Sequence, residues 1–264
     1  MIFSDFFNDY QQSIKNVNVE EKYDLLFSRP LGFIFAKLLT YLGLPPTGIS
    51  LLGMFVGVCG GVLLFWQDSL AFTATGSLLL IIAGLLDSAD GQAARLTGNH
   101  TKLGRYIDGI IDNIVFIAAY TAAIFHFIDI YTVAGCVAIG LASGAVHSIK
   151  SCIYEYYKGE FLYYSGTDSS QRNDPIDKLN RDFDRSTFFR KFVHFFVVDY
   201  MKKQQRFKFR DDATTEQFEA AYRDNPERFS TRYIEKNKPM LVNWAWVCGS
   251  NIMRNSIIIF SLFG

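Results

Sequence analysis

The chain reads as an all-α protein, a polytopic bundle of membrane-spanning helices, and three features of its 264 residues carry that reading. Half of the residues are hydrophobic, and 25 of them are Phe. Charge is scarce where hydrophobicity is dense: between Leu31 and Lys150 only eleven residues are Asp, Glu, Lys or Arg, and seven of these fall between Asp87 and Asp112. Apolar runs of about 20 residues, the length an α-helix needs to cross ~30 Å of hydrocarbon, recur along the sequence.

Taken in order, residues 1–45 form a lead-in that is mixed charged and aromatic. Its first thirty residues hold no apolar h-region, so no cleaved signal peptide is expected, and the segment is expected on the cytoplasmic side as an amphipathic stretch. LGFIFAKLLTYLG (31–43) is too short to span and is expected at the interface, before Pro45 and Pro46 force a turn. Spanning helices are predicted at 47–66, 70–90, 105–127, 131–150 and 241–264, five in all, with a membrane core over residues 46–158. Gly53, Gly57 and Gly61 recur every four residues in the first of these helices, and Gly140 and Gly144 do so in the fourth. Such spacing lets helix backbones approach closely, either within one chain or in a homodimer. Residues 159–239 form a polar insert with scattered aromatics, in which STFFRKFVHFFVVDYMKKQQRFKF reads as an amphipathic helix with a basic end suited to a membrane surface. Residues 240–264 close the sequence inside an apolar run, so the chain is expected either to end on the far side of the bilayer or to be followed by a further helix.

Lys and Arg concentrate in the lead-in, in the loop with Arg95, Lys102 and Arg105, and between Lys158 and Lys238, while the turns at 67–69 and 127–130 carry none. The basic side is therefore expected to be cytoplasmic, with the charged block from Asp87 to Asp112 on that face. Formal net charge is zero, so no global field points to nucleic acid. Cys59, Cys136, Cys152 and Cys248 are singly placed without a CxxC pair and read as small core residues. The sequence also holds no Ser/His/Asp set, no GxSxG and no P-loop, which leaves acyl transfer and ATP chemistry without support.

The chemistry concentrates in one block. Asp87 and Asp90 are three residues apart at the end of one apolar run, and Asp108 and Asp112 are four apart at the start of the next, so each pair shares a helix face. Gly98 and Asn99 permit a hairpin between them, which brings the two pairs together. Four converging carboxylates repel unless a cation is present; Mg²⁺ or Mn²⁺ suits such oxygen ligands together with substrate phosphates, and two such ions can clamp a diphosphate. Arg95 supplies a cation for a phosphate, and Gly91 and Gly104 leave room for a ligand to approach the backbone.

The spacing DxxDGxxAR, eight residues, GxxxDxxxD is filled without a gap by Asp87, Asp90, Gly91, Ala94, Arg95, Gly104, Asp108 and Asp112. In this it resembles the CDP-alcohol phosphotransferase family, whose members make phospholipids by displacing CMP from a CDP-linked group. The resemblance implies that Asp87, Asp90, Asp108 and Asp112 hold two divalent ions, with Asp112 also the general base. It further implies that Asp87, Gly91, Ala94, Arg95 and Gly104 line the site for the cytidine diphosphate moiety. Six spanning helices are usual in that family, against the five predicted here. Where many members open the first helix with Pro-Asn-x-x-Thr, this chain has Pro46, Thr47, Gly48, Ile49 and Ser50.

The expected reaction is transfer of a phosphatidyl group from CDP-diacylglycerol to an alcohol, with transfer from CDP-choline or CDP-ethanolamine to a lipid alcohol as the alternative. A reading of another class is a divalent-cation channel or carrier, because carboxylates within a membrane also line ion paths. For the acceptor, His147 and Lys150 share a face near the end of the fourth helix, and Arg254 falls thirteen residues past Leu241, where a guanidinium needs a wet cavity or a partner. These three are the expected acceptor-binding residues, and they suit an anionic head group such as a sugar or glycerol phosphate.

Overall fold

The computed structural model describes residues 2–14, 20, 22–99, 102–128, 131–167, 188–206 and 212–263. The tip of the charged hairpin (100, 101), much of the expected insert (168–187 and 207–211) and the side chains of Lys102 and Arg105 lie outside this description. The described residues are helical almost throughout and contain no strand. Helices α1 (Ile2–Ser13) and α2 (Arg29–Tyr41) make up the lead-in, with a π-helical stretch at Asp24–Ser28 running directly into α2. Four long helices follow: α3 (Pro46–Leu63), α4 (Leu70–Leu96), α5 (Lys102–Phe127) and α6 (Val133–Tyr164). The remainder is α7 (Phe188–Arg206), α8 (Asp212–Asp224), α9 (Pro226–Cys248) and α10 (Ser250–Phe263).

The chain divides into two compact units, one of Met1–His147 with Ser250–Gly264 and the other of Ser148–Gly249. In the first unit the four long helices are each apolar and long enough to cross a membrane over Pro46–Trp66, Leu70–Leu96, Ile107–Phe127 and Val133–Tyr164, the last continuing past the unit's boundary. The protein is an integral membrane protein. At ~1.5 Å per residue the 27 residues of α4 reach about 40 Å, more than hydrocarbon alone requires.

The fifth predicted span is corrected by the structure. Residues 241–264 are not one helix: α9 ends at Cys248, Gly249 is extended (φ −65°, ψ 146°), and α10 restarts at Ser250. Fourteen residues of α10 cover about 21 Å, short of the hydrocarbon thickness. The average hydropathy of that stretch is that of a span, whereas the backbone is extended at its glycine.

Local chemistry accounts for the other boundaries. Pro46 opens α3 at a position where its missing N–H costs nothing, and α4 ends in a Schellman motif. In that motif Gly98 takes φ +68°, its N–H bonds the Arg95 carbonyl at 3.2 Å, and the Asn99 N–H bonds that of Ala94 at 2.9 Å. This glycine closes the end of the helix that bears Asp87 and Asp90 and turns the chain toward Asp108 and Asp112.

The glycine stripe of α3 works within the chain. A Cβ on Gly53 would meet Leu86 Cβ at 3.2 Å, one on Gly57 would meet Val115 Cγ2 at 2.8 Å, and one on Gly61 would meet the Ala119 backbone nitrogen at 2.9 Å. Helix α3 is thereby pressed into the groove between α4 and α5, which fixes the two carboxylate-bearing helices side by side. Gly140 meets Ile124 of α5, whereas Gly144 faces no atom within 4 Å. All four cysteines are free, with Cys136 and Cys152 buried.

In the second unit Tyr164 packs against Phe218, Tyr222, Phe229 and Tyr233, and the buried Glu160 carboxylate accepts a 2.7 Å hydrogen bond from the Tyr233 hydroxyl. Asn225 caps α9 by accepting from the Arg228 N–H at 3.0 Å. Helix α7 covers most of the predicted amphipathic stretch and carries Lys203 and Arg206 in its last turn.

Candidate active site

The two carboxylate pairs meet. Asp87 and Asp90 on α4 and Asp108 on α5 each place an oxygen within 4.8 Å of the others. Asp90 is buried, Asp87 and Asp108 are half-buried, and Asp112 lies one turn beyond Asp108 on the same face of α5. The Ser50 hydroxyl of α3 faces the Asp90 carboxylate, yet Asp90 Oδ2 is buried with no hydrogen-bond partner among the described residues. A buried carboxylate oxygen without a donor is costly, and an all-oxygen donor set suits a hard cation. The residues present therefore fit a divalent ion such as Mg²⁺ or Mn²⁺.

Arg254 closes one side of this cluster. It is buried at 5% exposure and donates from Nη2 to Asp112 Oδ1 at 3.4 Å and from Nη1 to Asn251 Oδ1 at 3.3 Å. Asn251 in turn donates to Asp24 Oδ1 at 2.6 Å, which ties α10 to the π-helical stretch. The guanidinium fits because α4 has a glycine where it passes: a Cβ on Gly84 would lie 2.2 Å from Arg254 Nη1. Asp87, Asp90, Asp112, Ser50 and Arg254 line a cavity of about 10 Å³, room for roughly one water-sized particle.

Arg95 is half-buried at the end of α4, where its Nε donates to the Ser13 carbonyl of α1 at 2.5 Å and its Nη atoms lie 3.6 and 3.7 Å from where a Gly91 Cβ would stand. Ala94 is half-buried beside it, and Gly104 is exposed at the start of α5, one turn before Asp108. Arg29 pairs with Glu20 at 2.6 Å and reaches Ser88 at 3.3 Å. Burial alone would lower the Arg29 pKa, but the carboxylates of Glu20, Asp24 and Asp87 together outweigh it and raise it, so this cation stays charged.

The three expected acceptor residues are divided between the two units. Arg254 stands at the aspartates. His147 is buried on α6, tilted against Phe116 of α5 at 4.2 Å between ring centroids, with Nδ1 3.2 Å from the Tyr120 hydroxyl. Phe116 and Tyr120 follow Asp112 at four-residue steps, so His147 packs farther along the carboxylate face of α5. Lys150 is half-buried and belongs to the other unit. Sequence reasoning did not single out Gly84, Asn251, Ser13 or Gln92 at all. Ser50 was noted only for its departure from a family pattern. Hydropathy and spacing carry no signal for contacts between residues 79 or more apart, such as that of Gln92 with Ser13.

The fold and site define an integral membrane protein whose carboxylate cluster can hold a hard cation. Residues 44–157 match the family described as CDP-alcohol phosphatidyltransferase. A curated relative, the archaetidylinositol phosphate synthase of Pyrococcus horikoshii, is 27% identical over 78 residues, which are 30% of this chain and 39% of the relative. The chain thus spans well under half the length of that relative. No solved structure matches.

Proposed function

We propose that the protein transfers a phosphatidyl group from CDP-diacylglycerol to the hydroxyl of a polar alcohol and releases CMP, with the site at the cytoplasmic face of its membrane. The observation that carries this reading is the convergence of Asp87, Asp90 and Asp108 around a buried, unsatisfied carboxylate oxygen, beside Asp112. Asp87, Asp90, Asp108 and Asp112 would hold two divalent ions, Mg²⁺ or Mn²⁺, which when bound neutralise charge on the diphosphate and on departing CMP. The small cavity cannot contain a nucleotide, so the cytidine diphosphate lies at its mouth, against Asp87, Gly91, Ala94, Arg95 and Gly104, where Arg95 binds a phosphate oxygen. Asp112 takes the proton of the acceptor hydroxyl as the acceptor oxygen bonds to the phosphorus distal to cytidine, and the bond from that phosphorus to CMP breaks.

Arg254 is the acceptor residue with the strongest geometric support, because its guanidinium already lies at Asp112, the proposed base. An anionic acceptor can exchange with Asp112 for that guanidinium, which favours a polyol or sugar phosphate over a neutral or cationic alcohol. The name of the archaeal relative, an archaetidylinositol phosphate synthase, makes an inositol phosphate the first acceptor to try. His147 and Lys150 are retained as acceptor contacts of lower rank. The test is release of CMP from CDP-diacylglycerol by the purified protein with a panel of alcohols and alcohol phosphates. Turnover only with CDP-choline or CDP-ethanolamine and a lipid alcohol would replace the donor assigned here.

A further inference from the structure

We propose that the N-terminal helix α1 is part of the donor subsite, with Ser13 and Gln92 as positioning residues that fix the Arg95 guanidinium over Gly91. This rests on the reading of Arg95 as a phosphate ligand of the donor.

Gln92 occupies an unspecified position of the DGxxAR pattern, yet it is completely buried. Its Nε2 donates to Ser13 Oγ at 3.0 Å and to the Arg29 carbonyl at 3.1 Å, and its Oε1 accepts from Ser88 Oγ at 3.5 Å. Both amide hydrogens are thus spent on the lead-in, which makes Gln92 a built anchor and not a space filler. It cannot drift, because α2 crosses tightly there: a Cβ on Gly32 would stand 2.8 Å from Gln92 Oε1 and 2.9 Å from Ser88 Cβ.

Ser13 is the last residue of α1 and is also completely buried. Its hydroxyl accepts from Gln92 and donates to the Tyr10 carbonyl at 2.7 Å, so the side chain is held from both sides. Its carbonyl is one of those that a helix end leaves without an intrahelical partner, at the negative end of the helix dipole, and Arg95 Nε–H donates to it. Helix α1 is itself pinned to α2, with Phe6 and Tyr10 edge-on to Phe33 at 4.9 and 5.3 Å and Lys37 paired with Asp9.

The consequence for Arg95 is orientation. A long side chain that roams in solution loses rotamer entropy when it binds, and a fixed one has already lost it. Contact through Nε sets the plane of the guanidinium and directs its two Nη groups over Gly91, where the absence of a side chain leaves the donor's diphosphate an approach. A carbonyl holds the group in place without cancelling its charge. The motif arginine is thereby positioned by a residue 82 positions earlier in the chain.

The experiment measures CDP binding to the purified full chain in detergent with Mg²⁺ present. Losing the Ser13–Gln92 hydrogen bond, which both variants remove, is expected to weaken CDP binding about three- to tenfold in Ser13→Ala and at least as much in Gln92→Leu, with near wild-type affinity restored in Ser13→Thr. In an Arg95→Ala background, adding Gln92→Leu is expected to cause no further loss, because the anchor acts through Arg95. Wild-type CDP affinity in Ser13→Ala and Gln92→Leu, alongside a large loss in Arg95→Ala, overturns the proposal and leaves the donor reading intact. An equal further loss in the Arg95→Ala background overturns it as well, since it marks a general effect on folding. Unchanged binding in Arg95→Ala removes the donor reading of Arg95, and this proposal with it. Should Gln92→Leu not fold, Ser13→Ala carries the test, since it deletes a single oxygen.

Discussion

Replacing Gly84 with Ala probes Arg254 without touching any charge. The added Cβ would lie 2.2 Å from Arg254 Nη1 and 3.1 Å from Cζ, and ordinary contact begins at 3.4 Å, so the guanidinium must retreat by the difference, 1.2 Å. Its bond to Asp112 Oδ1 is already 3.4 Å long, and a retreat of that size breaks it. A lost hydrogen bond between charged groups is worth about 1.5–3 kcal/mol, or roughly 10- to 100-fold in an equilibrium or rate constant. If Arg254 serves the acceptor, kcat/KM for the acceptor should fall by that factor while KM for the CDP-donor stays within about twofold. The helix itself should not suffer, because Ala is favoured over Gly in a helix interior by about 1 kcal/mol. Initial rates of CMP release against acceptor concentration, paired with thermal denaturation in detergent, separate the two effects. Wild-type kinetics in Gly84→Ala, or equal losses for both substrates, would remove Arg254 from the acceptor site.

Further outcomes follow from the same geometry. Asp112→Asn should lower turnover about 10²- to 10⁴-fold while CDP-lipid binding remains measurable, and near-normal turnover would refute its role as base. Asp87→Asn and Asp108→Asn should also weaken Mn²⁺ binding in a calorimetric titration. Saturating Mg²⁺ at 100 times its Kd should stabilise the wild type by about 2.7 kcal/mol and Asp90→Asn by much less, so a melting temperature indifferent to Mg²⁺ and EDTA would count against the metal site. Gly57→Ala should cost about 1–3 kcal/mol because its Cβ meets Val115 at 2.8 Å, whereas Gly144→Ala, with no atom within 4 Å, should be neutral or slightly stabilising.

Much of this architecture could be read from the residue pattern. Hydropathy places α3 to α6 because each must be apolar along its length, and the three- and four-residue steps of the aspartates follow from helical periodicity alone. The break at Gly249 could not be read that way, since a window average over an apolar run does not register a single extended residue. That break decides where Arg254 goes. Its distance from Leu241 suggests a charge in the middle of a continuous span, whereas on the short α10 it reaches Asp112 past Gly84, where a side chain would collide with it. Gln92 and Ser13 were equally hidden. Both look like ordinary polar residues in the sequence, and their meaning appears only when α1 is laid against the end of α4.

The central claim is that these aspartates serve transfer from a CDP-linked lipid. It is tested most directly by incubating the purified full chain with CDP-diacylglycerol, Mg²⁺ and an inositol phosphate, and by quantifying CMP and the lipid product. The expected result is equimolar CMP and phospholipid, both abolished by EDTA and by Asp112→Asn. No CMP from any pairing of CDP-linked donor and alcohol, with divalent-cation flux through the protein in liposomes instead, would contradict the account.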